Sequence, residues 1–236
     1  MTQVPDERCL WGKGICWQIS GAISKDDVRI VASIAQRMAA ANPKQRPGFE
    51  LDSEGGDVEA AISIGRLLRK MSAHAQIRGD AKCFSSCVFI YAGATHRVGE
   101  KIGIHRPFSL STEARTFDEI QAEQRRLNSV VGAFLEEMNV SPRLLEAMNN
   151  VSPQNIRMLS DVEMEEFGLV NMDPVLQALQ DAESAREYGL SMPEYLRRKV
   201  LYEATCLKDF LSPLGPRSFN LDQHWRCKEA IMRGSK

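Results

Sequence analysis

The chain reads as a layered α/β protein with a parallel sheet and a helical extension at its C-terminal end. Three observations predict this. Short strand-like stretches alternate with helical ones from Cys16 to His105, and that order is the signature of parallel pairing through crossover helices. Residues 52–56 and 82–86 fall at ends of strand-like stretches, where such folds collect their sites. Beyond about Ala185 only helical character remains.

Taken in order, CWQIS at 16–20 alternates and runs into Gly21, a strand and turn. Residues 26–41 place Val28, Val31, Ile34, Ala35 and Met38 at helical spacing, with Ser24 as N-cap and Asn42-Pro43 as the stop. A loop over 44–48 leads into a short strand at 49–52 and the turn Ser53-Glu54-Gly55-Gly56. Residues 57–70 form an amphipathic helix, Asp57 standing at its positive end. A strand over 73–78 follows, then a buried helix over 85–92 entered at a Ser85–Ser86 bend. Arg97-Val98 and 101–105 are two short strands around Gly99.

A long helix covers 116–138, and a second starts at Ser141-Pro142. After a break at Ser152-Pro153, a helix runs from Asp161 to Gly168, and Leu169-Val170 is a closing strand. Residues 192–207 and 221–232 are helical. The expected organisation is an N-terminal segment at 1–14, a core at 15–184 and a helical hairpin at 185–236.

Bulk properties exclude several partners. With 236 residues and a net charge of −1, nothing electrostatic argues for nucleic acid. Basic clusters at Arg66, Arg69, Lys70 and at Arg197, Arg198, Lys199 have acids close by and read as solvated helix faces. No apolar run approaches the ~20 residues that span a bilayer. The six cysteines fall locally as Cys9 with Cys16, Cys83 with Cys87 and Cys206 with Cys227. Six cysteines allow fifteen connectivities, and local pairing is the preferred one. Disulfides fit an oxidising compartment, so the expectation is an exported, periplasmic domain whose leader has been removed. The alternative is a cytoplasmic protein with reduced thiols. No pair is CxxC, and no zinc site is expected.

The chemistry concentrates in residues 79–107. Ser85 opens an apolar run, and His105 returns at the end of a short apolar strand. A serine hydroxyl needs a base to become a nucleophile, and histidine is the usual one. Gly55 and Gly56 can offer main-chain N–H groups to an oxyanion. Ser86 is an alternative to Ser85, and Lys82 and Lys101 are alternative bases. His74, His96 and His224 have no such context.

Three blocks together resemble the proteolytic subunit of the Clp protease, within the Clp/crotonase superfamily. They are Leu51-Asp52-Ser53-Glu54-Gly55-Gly56-Asp57-Val58, then Cys83-Phe84-Ser85-Ser86-Cys87-Val88-Phe89 ending in Ala92-Gly93-Ala94, then Ile102-Gly103-Ile104-His105-Arg106-Pro107. A fourth, weaker match joins Arg157-Met158-Leu159-Ser160 with Phe167-Gly168-Leu169-Val170. The likeness covers roughly 15–173 and is greatest to predicted exported relatives in which two cysteines bracket the serine.

The resemblance implies a repeated β-β-α layered fold and a serine peptidase or other hydrolase acting on a peptide or protein. Ser85 is then the nucleophile, His105 the base, and the Gly56 and Ser86 N–H groups the oxyanion hole. It implies homo-oligomers, since family members form rings, and needs no cofactor or metal. A Cys83–Cys87 bridge would stiffen the nucleophile turn, residues i and i+4 across a bend lying within disulfide reach.

The chain also departs from the pattern. Glu54 stands where the family has proline, and Ile156 stands where it has its aspartate. Asn155 and Asp161 are the neighbours that can replace that acid. The alternative function is a catalytically inactive interaction module of the cell envelope. Acyl-CoA chemistry on a crotonase-type fold shares the oxyanion logic but has no use for a Ser85–His105 pair.

Overall fold

The structure is a computed structural model that describes residues 2–4, 16–41, 46–108, 116–207 and 221–234. It divides into two compact units, Met1–Asp173 and Pro174–Lys236.

The first unit is built around a central strand. β1 (Thr2–Val4) pairs antiparallel with β2 (Cys16–Ile23), which runs parallel to β3 (Gly48–Gly56). Phe49, Leu51 and Ser53 of β3 are buried while Glu50, Asp52 and Glu54 are less so, the two-residue alternation of a strand with one face inward. The first half of β3 pairs with β4 (His74–Gln76), and Ser53 further along pairs with Cys83 of β5 (Cys83–Phe84). From this fork one branch continues through β6 (His96–Val98) to an antiparallel edge, β9 (Asn171–Met172). The other continues through β7 (Ile102–Ile104) to β8 (Arg157–Met158), again antiparallel. The fork is what matters for the site, because it lets the end of β3 lie beside the end of β5.

Among the described residues six helices cover this sheet: α1 (Lys25–Ala41), α2 (Val58–Lys70), α3 (Cys87–Gly93), α4 (Phe117–Glu137), α5 (Arg143–Asn149) and α6 (Asp161–Phe167). Local chemistry sets their ends. The Asp57 carboxylate accepts the Ala60 N–H at the start of α2, which satisfies an otherwise orphaned donor. Capping boxes Thr116/Glu119 and Ser160/Glu163 open α4 and α6. Helices α2 and α3 pack at closest range, since a Cβ on Gly93 would lie 2.2 Å from the Gly65 carbonyl oxygen. Only glycine permits that approach.

Two expectations are corrected. The closing strand forms at Asn171–Met172 rather than at Leu169-Val170. Leu169 is fully buried in the core and its N–H bonds Met164, so the chain reaches the sheet edge two residues later. The second compact unit begins at Pro174, and within it Ala185 shares a separate small core with Tyr195 and Met232. The basic clusters are not purely solvated faces: Arg69 reaches the buried Asp173 at 2.7 Å, and Lys199 reaches Asp181 at 2.9 Å. The expected helix stop at Asn42-Pro43 and the residue Cys9 lie outside the described residues.

Arg97 holds the far side of the unit together. It is 1% exposed on β6. Its guanidinium donates to the Ala92 carbonyl at 2.6 Å, to the Gly168 carbonyl and, at 3.5 Å, to the Met138 carbonyl. These carbonyls end α3, α6 and α4, where helices leave acceptors unsatisfied and carry partial negative charge. Arg69 joins the same group, donating to Met138 at 2.9 Å and pairing with Asp173, which also accepts from Asn139. Burial, with Arg69 nearby, pulls the Arg97 pKa down to about 10, so the group stays charged at neutral pH.

The second unit holds α7 (Pro174–Glu187), α8 (Met192–Cys206) and α9 (Leu221–Arg233). The Cys206–Cys227 disulfide joins α8 to α9 with their Cα atoms 6.0 Å apart. Buried Asp181 of α7 receives Lys199 and, at 3.4 Å, the Tyr195 hydroxyl. Among the described residues no helix is long and apolar enough to cross a membrane.

Replacing Arg97 by Met keeps an unbranched apolar stem but removes a donor shared by three helix ends, leaving Gly168 without one among the described residues and Ala92 and Met138 with Arg69 alone. Unfolding in urea is expected to show a loss of about 3–5 kcal/mol, the range for removing one partner from a buried charged network; a loss below ~1 kcal/mol would contradict the role given to Arg97.

Candidate active site

The site forms where β5 turns into α3. Cys83 and Phe84 are held in the sheet, with the Cys83 N–H donating to Lys101 and the Ser85 N–H to Gly103. The chain must then reverse into α3 within two residues. It does so by placing Ser85 at φ +56°, a left-handed conformation that is uncommon for a residue with a Cβ. A serine on a strained strand-to-helix turn has its hydroxyl pushed out over the sheet.

Three contacts hold the turn. The Cys83–Cys87 disulfide spans it with Cα atoms 5.2 Å apart. The Ser86 hydroxyl donates to the Gly56 carbonyl at 3.1 Å, tying the start of α3 to the end of β3. Gly55 packs under the serine, where an added Cβ would lie 2.6 Å from Ser85 Cβ and 3.0 Å from its Oγ. Gly55, at φ +105°, therefore serves conformation and close approach together. The two serines do different things: Ser86 is 1% exposed and bonded to Gly56, whereas Ser85 is half-buried at the strained position.

A cavity of about 220 Å³ opens over this turn, and Gly56, Ser85, Ser86 and His105 all line it. Phe89, Phe108 and Met148 supply apolar wall, and Glu54 stands among the lining residues. His105 is 6% exposed, at the end of β7, and packs against the Phe108 ring at 5.6 Å between centroids. Its Nδ1 lies 2.9 Å from the Arg106 carbonyl oxygen. No hydrogen bond joins Ser85 to His105 directly; catalytic hydrogen bonds often close only around substrate.

The other candidates fall elsewhere. Lys82 forms an ion pair with Glu54 at 2.5 Å, and this hydrogen bond raises its pKa, which keeps the amine protonated and unable to accept a proton at neutral pH. Lys101 pairs with Asp80. His74 and His96 face each other across β4 and β6 with ring centroids 5.5 Å apart. Burial, with His96 and Arg46 nearby, pulls the His74 pKa down to about 4. His224 sits 3.0 Å from the Tyr202 hydroxyl in the second unit.

Neither Asn155 nor Asp161 is hydrogen-bonded to His105. Both are exposed, the Asn155 N–H donating to Ser152 and Asp161 opening α6. The β7–β8 register pairs Gly103 with Met158 and Ile104 with Arg157, and one further step sets His105 opposite Ile156. The Ile156 side chain lies over Gly103, its Cγ2 2.5 Å from where a Cβ would stand. Phe108, Met148 and Pro153 were not anticipated as lining residues. Met148 and Pro153 come from α5 and the turn after it, more than 60 positions from Ser85, and only Phe108 carried a local signal, next to the His105-Arg106-Pro107 block.

No protein-family profile matches the chain, and no curated protein sequence matches it. Among solved structures, a point mutant of ClpP1 from Listeria monocytogenes is similar at a TM-score of 0.50 and 18% identity, covering 66% of this chain and 88% of that one. This likeness shows a Clp/crotonase-like fold.

The disulfide and the strained turn are expected to depend on each other. A turn of this kind stores about 1–3 kcal/mol, so a Cys83→Ala/Cys87→Ala variant that lets Ser85 relax should react with a fluorophosphonate roughly tenfold more slowly. Equal labelling rates in a variant of unchanged circular dichroism would show that the bridge does not hold the hydroxyl in place.

Proposed function

We propose that the protein is a Clp-like serine hydrolase, most simply a peptidase, acting in an oxidising compartment outside the cytoplasm. The single observation that carries this reading is Ser85, held at φ +56° on the floor of a cavity that His105 also lines.

In this reading Ser85 Oγ attacks the substrate carbonyl carbon while its proton passes to His105 Nε2. The carbonyl π electrons move to oxygen, and the Gly56 and Ser86 N–H groups take the resulting oxyanion. Preorganised donors of this kind are worth ~10²–10³ in turnover each. The imidazolium then gives its proton to the departing amine as the carbon–nitrogen bond breaks. Water, deprotonated by the same imidazole, releases the acyl group from Ser85. No metal or organic cofactor enters these steps.

Location and assembly belong to the same proposal. The Cys83–Cys87 and Cys206–Cys227 bridges suit an exported, periplasmic protein. Phe117, 74% exposed, and Ile120 stand bare near the start of α4, apolar surface that self-association would cover. A second reading, an inert envelope module, is favoured by Ile156 opposite His105.

Mass spectrometry after fluorophosphonate treatment separates the two. The hydrolase reading expects one adduct on Ser85 in the wild type, none in Ser85→Ala, and labelling slowed at least ~10²-fold in His105→Ala. Absence of any adduct on the wild-type protein would leave the inert module.

A further inference from the structure

We infer that the main-chain carbonyl of Arg106 is the third member of the site, orienting His105, to which no carboxylate among the described residues is hydrogen-bonded; this rests on the hydrolase reading above. His105 Nδ1 lies 2.9 Å from that oxygen. A carbonyl oxygen only accepts, so Nδ1 carries the proton of the neutral ring. The unprotonated nitrogen is then Nε2, the tautomer a general base needs. Among the described residues this carbonyl is the ring's one hydrogen-bond partner.

The carbonyl itself is held. The Arg106 N–H donates to the Val151 carbonyl at 3.0 Å, which fixes one side of the residue. Pro107 follows and restricts Arg106 to extended conformations, which limits where its carbonyl can point. Phe108 packs on the ring and Pro107 joins the cavity wall, so the imidazole is enclosed as well as bonded. Residues 105–108 therefore position their own histidine through local contacts.

This explains how a hydrocarbon is tolerated at Ile156. In serine hydrolases the acid's main structural task is to select the tautomer, and losing that selection costs ~10⁴ in turnover. Here the selection is made by a peptide group, and a side chain at 156 or 161 is not called upon. Arg106 is a positioning residue through its main chain, so replacing its side chain leaves the contact in place.

The test reads the tautomer directly. Long-range ¹H–¹⁵N correlation on labelled protein at about pH 8.5, well above the ordinary histidine value, resolves the four histidines, each assigned by a His→Gln variant. The expected result is a protonated Nδ1 and a bare Nε2 for His105, in both the wild type and Ser85→Ala. In parallel, Asn155→Ala and Asp161→Ala are expected to keep fluorophosphonate labelling within about threefold of wild type. A protonated Nε2, or a hundredfold loss in either variant, overturns the proposal. A protonated Nδ1 on a protein that takes no label overturns the hydrolase reading instead, and the catalytic meaning of the contact with it.

Discussion

Everything at the site depends on one backbone conformation, the left-handed turn at Ser85. The strain in that turn is small beside the packing energy of the core, yet it decides where a hydroxyl points. It persists because the surroundings leave the chain no relaxed alternative. The disulfide joins the residues on either side, Gly55 lies directly beneath, and Ser86 is tied to Gly56. The same tie brings the ends of β3 and β5 together, so the groups that would meet an oxyanion are set by the sheet's fork.

A strained turn needs a rigid frame, and the frame is fixed from the opposite end of α3. Arg97 bonds the carbonyl of Ala92 in the last turn of that helix, while the disulfide grips its first residue. The short α3 is thus pinned at both ends by interactions other than its own hydrogen bonds. Helices of two turns have little stability of their own, so these outside contacts are what make it a reliable platform. Gly65 and Gly93 add to this by letting α2 lie against it at backbone distance.

Much of this was legible in the sequence, because the informative signals were local. A strand-like stretch, two small residues and an apolar run announce the turn at Ser85, and Gly55-Gly56 announces a place where only glycine fits. The two cysteines four residues apart announce their own bridge. What stayed hidden was assembled from distant positions or from main chain. Arg97 looked like one residue of a short strand, since the carbonyls it serves lie at 92, 138 and 168. The lining residues Met148 and Pro153 gave no sign of their destination. A search for a side-chain acid near Ile156 could not find the Arg106 carbonyl, because every residue has one.

The most direct measurement is a crystal structure of the protein after reaction with a small fluorophosphonate. The account predicts phosphorus bonded to Ser85 Oγ and a phosphoryl oxygen within about 3 Å of both the Gly56 and Ser86 nitrogens, with His105 Nε2 turned toward the adduct. Phosphorus on any other residue, or a phosphoryl oxygen directed away from both amides, would contradict it.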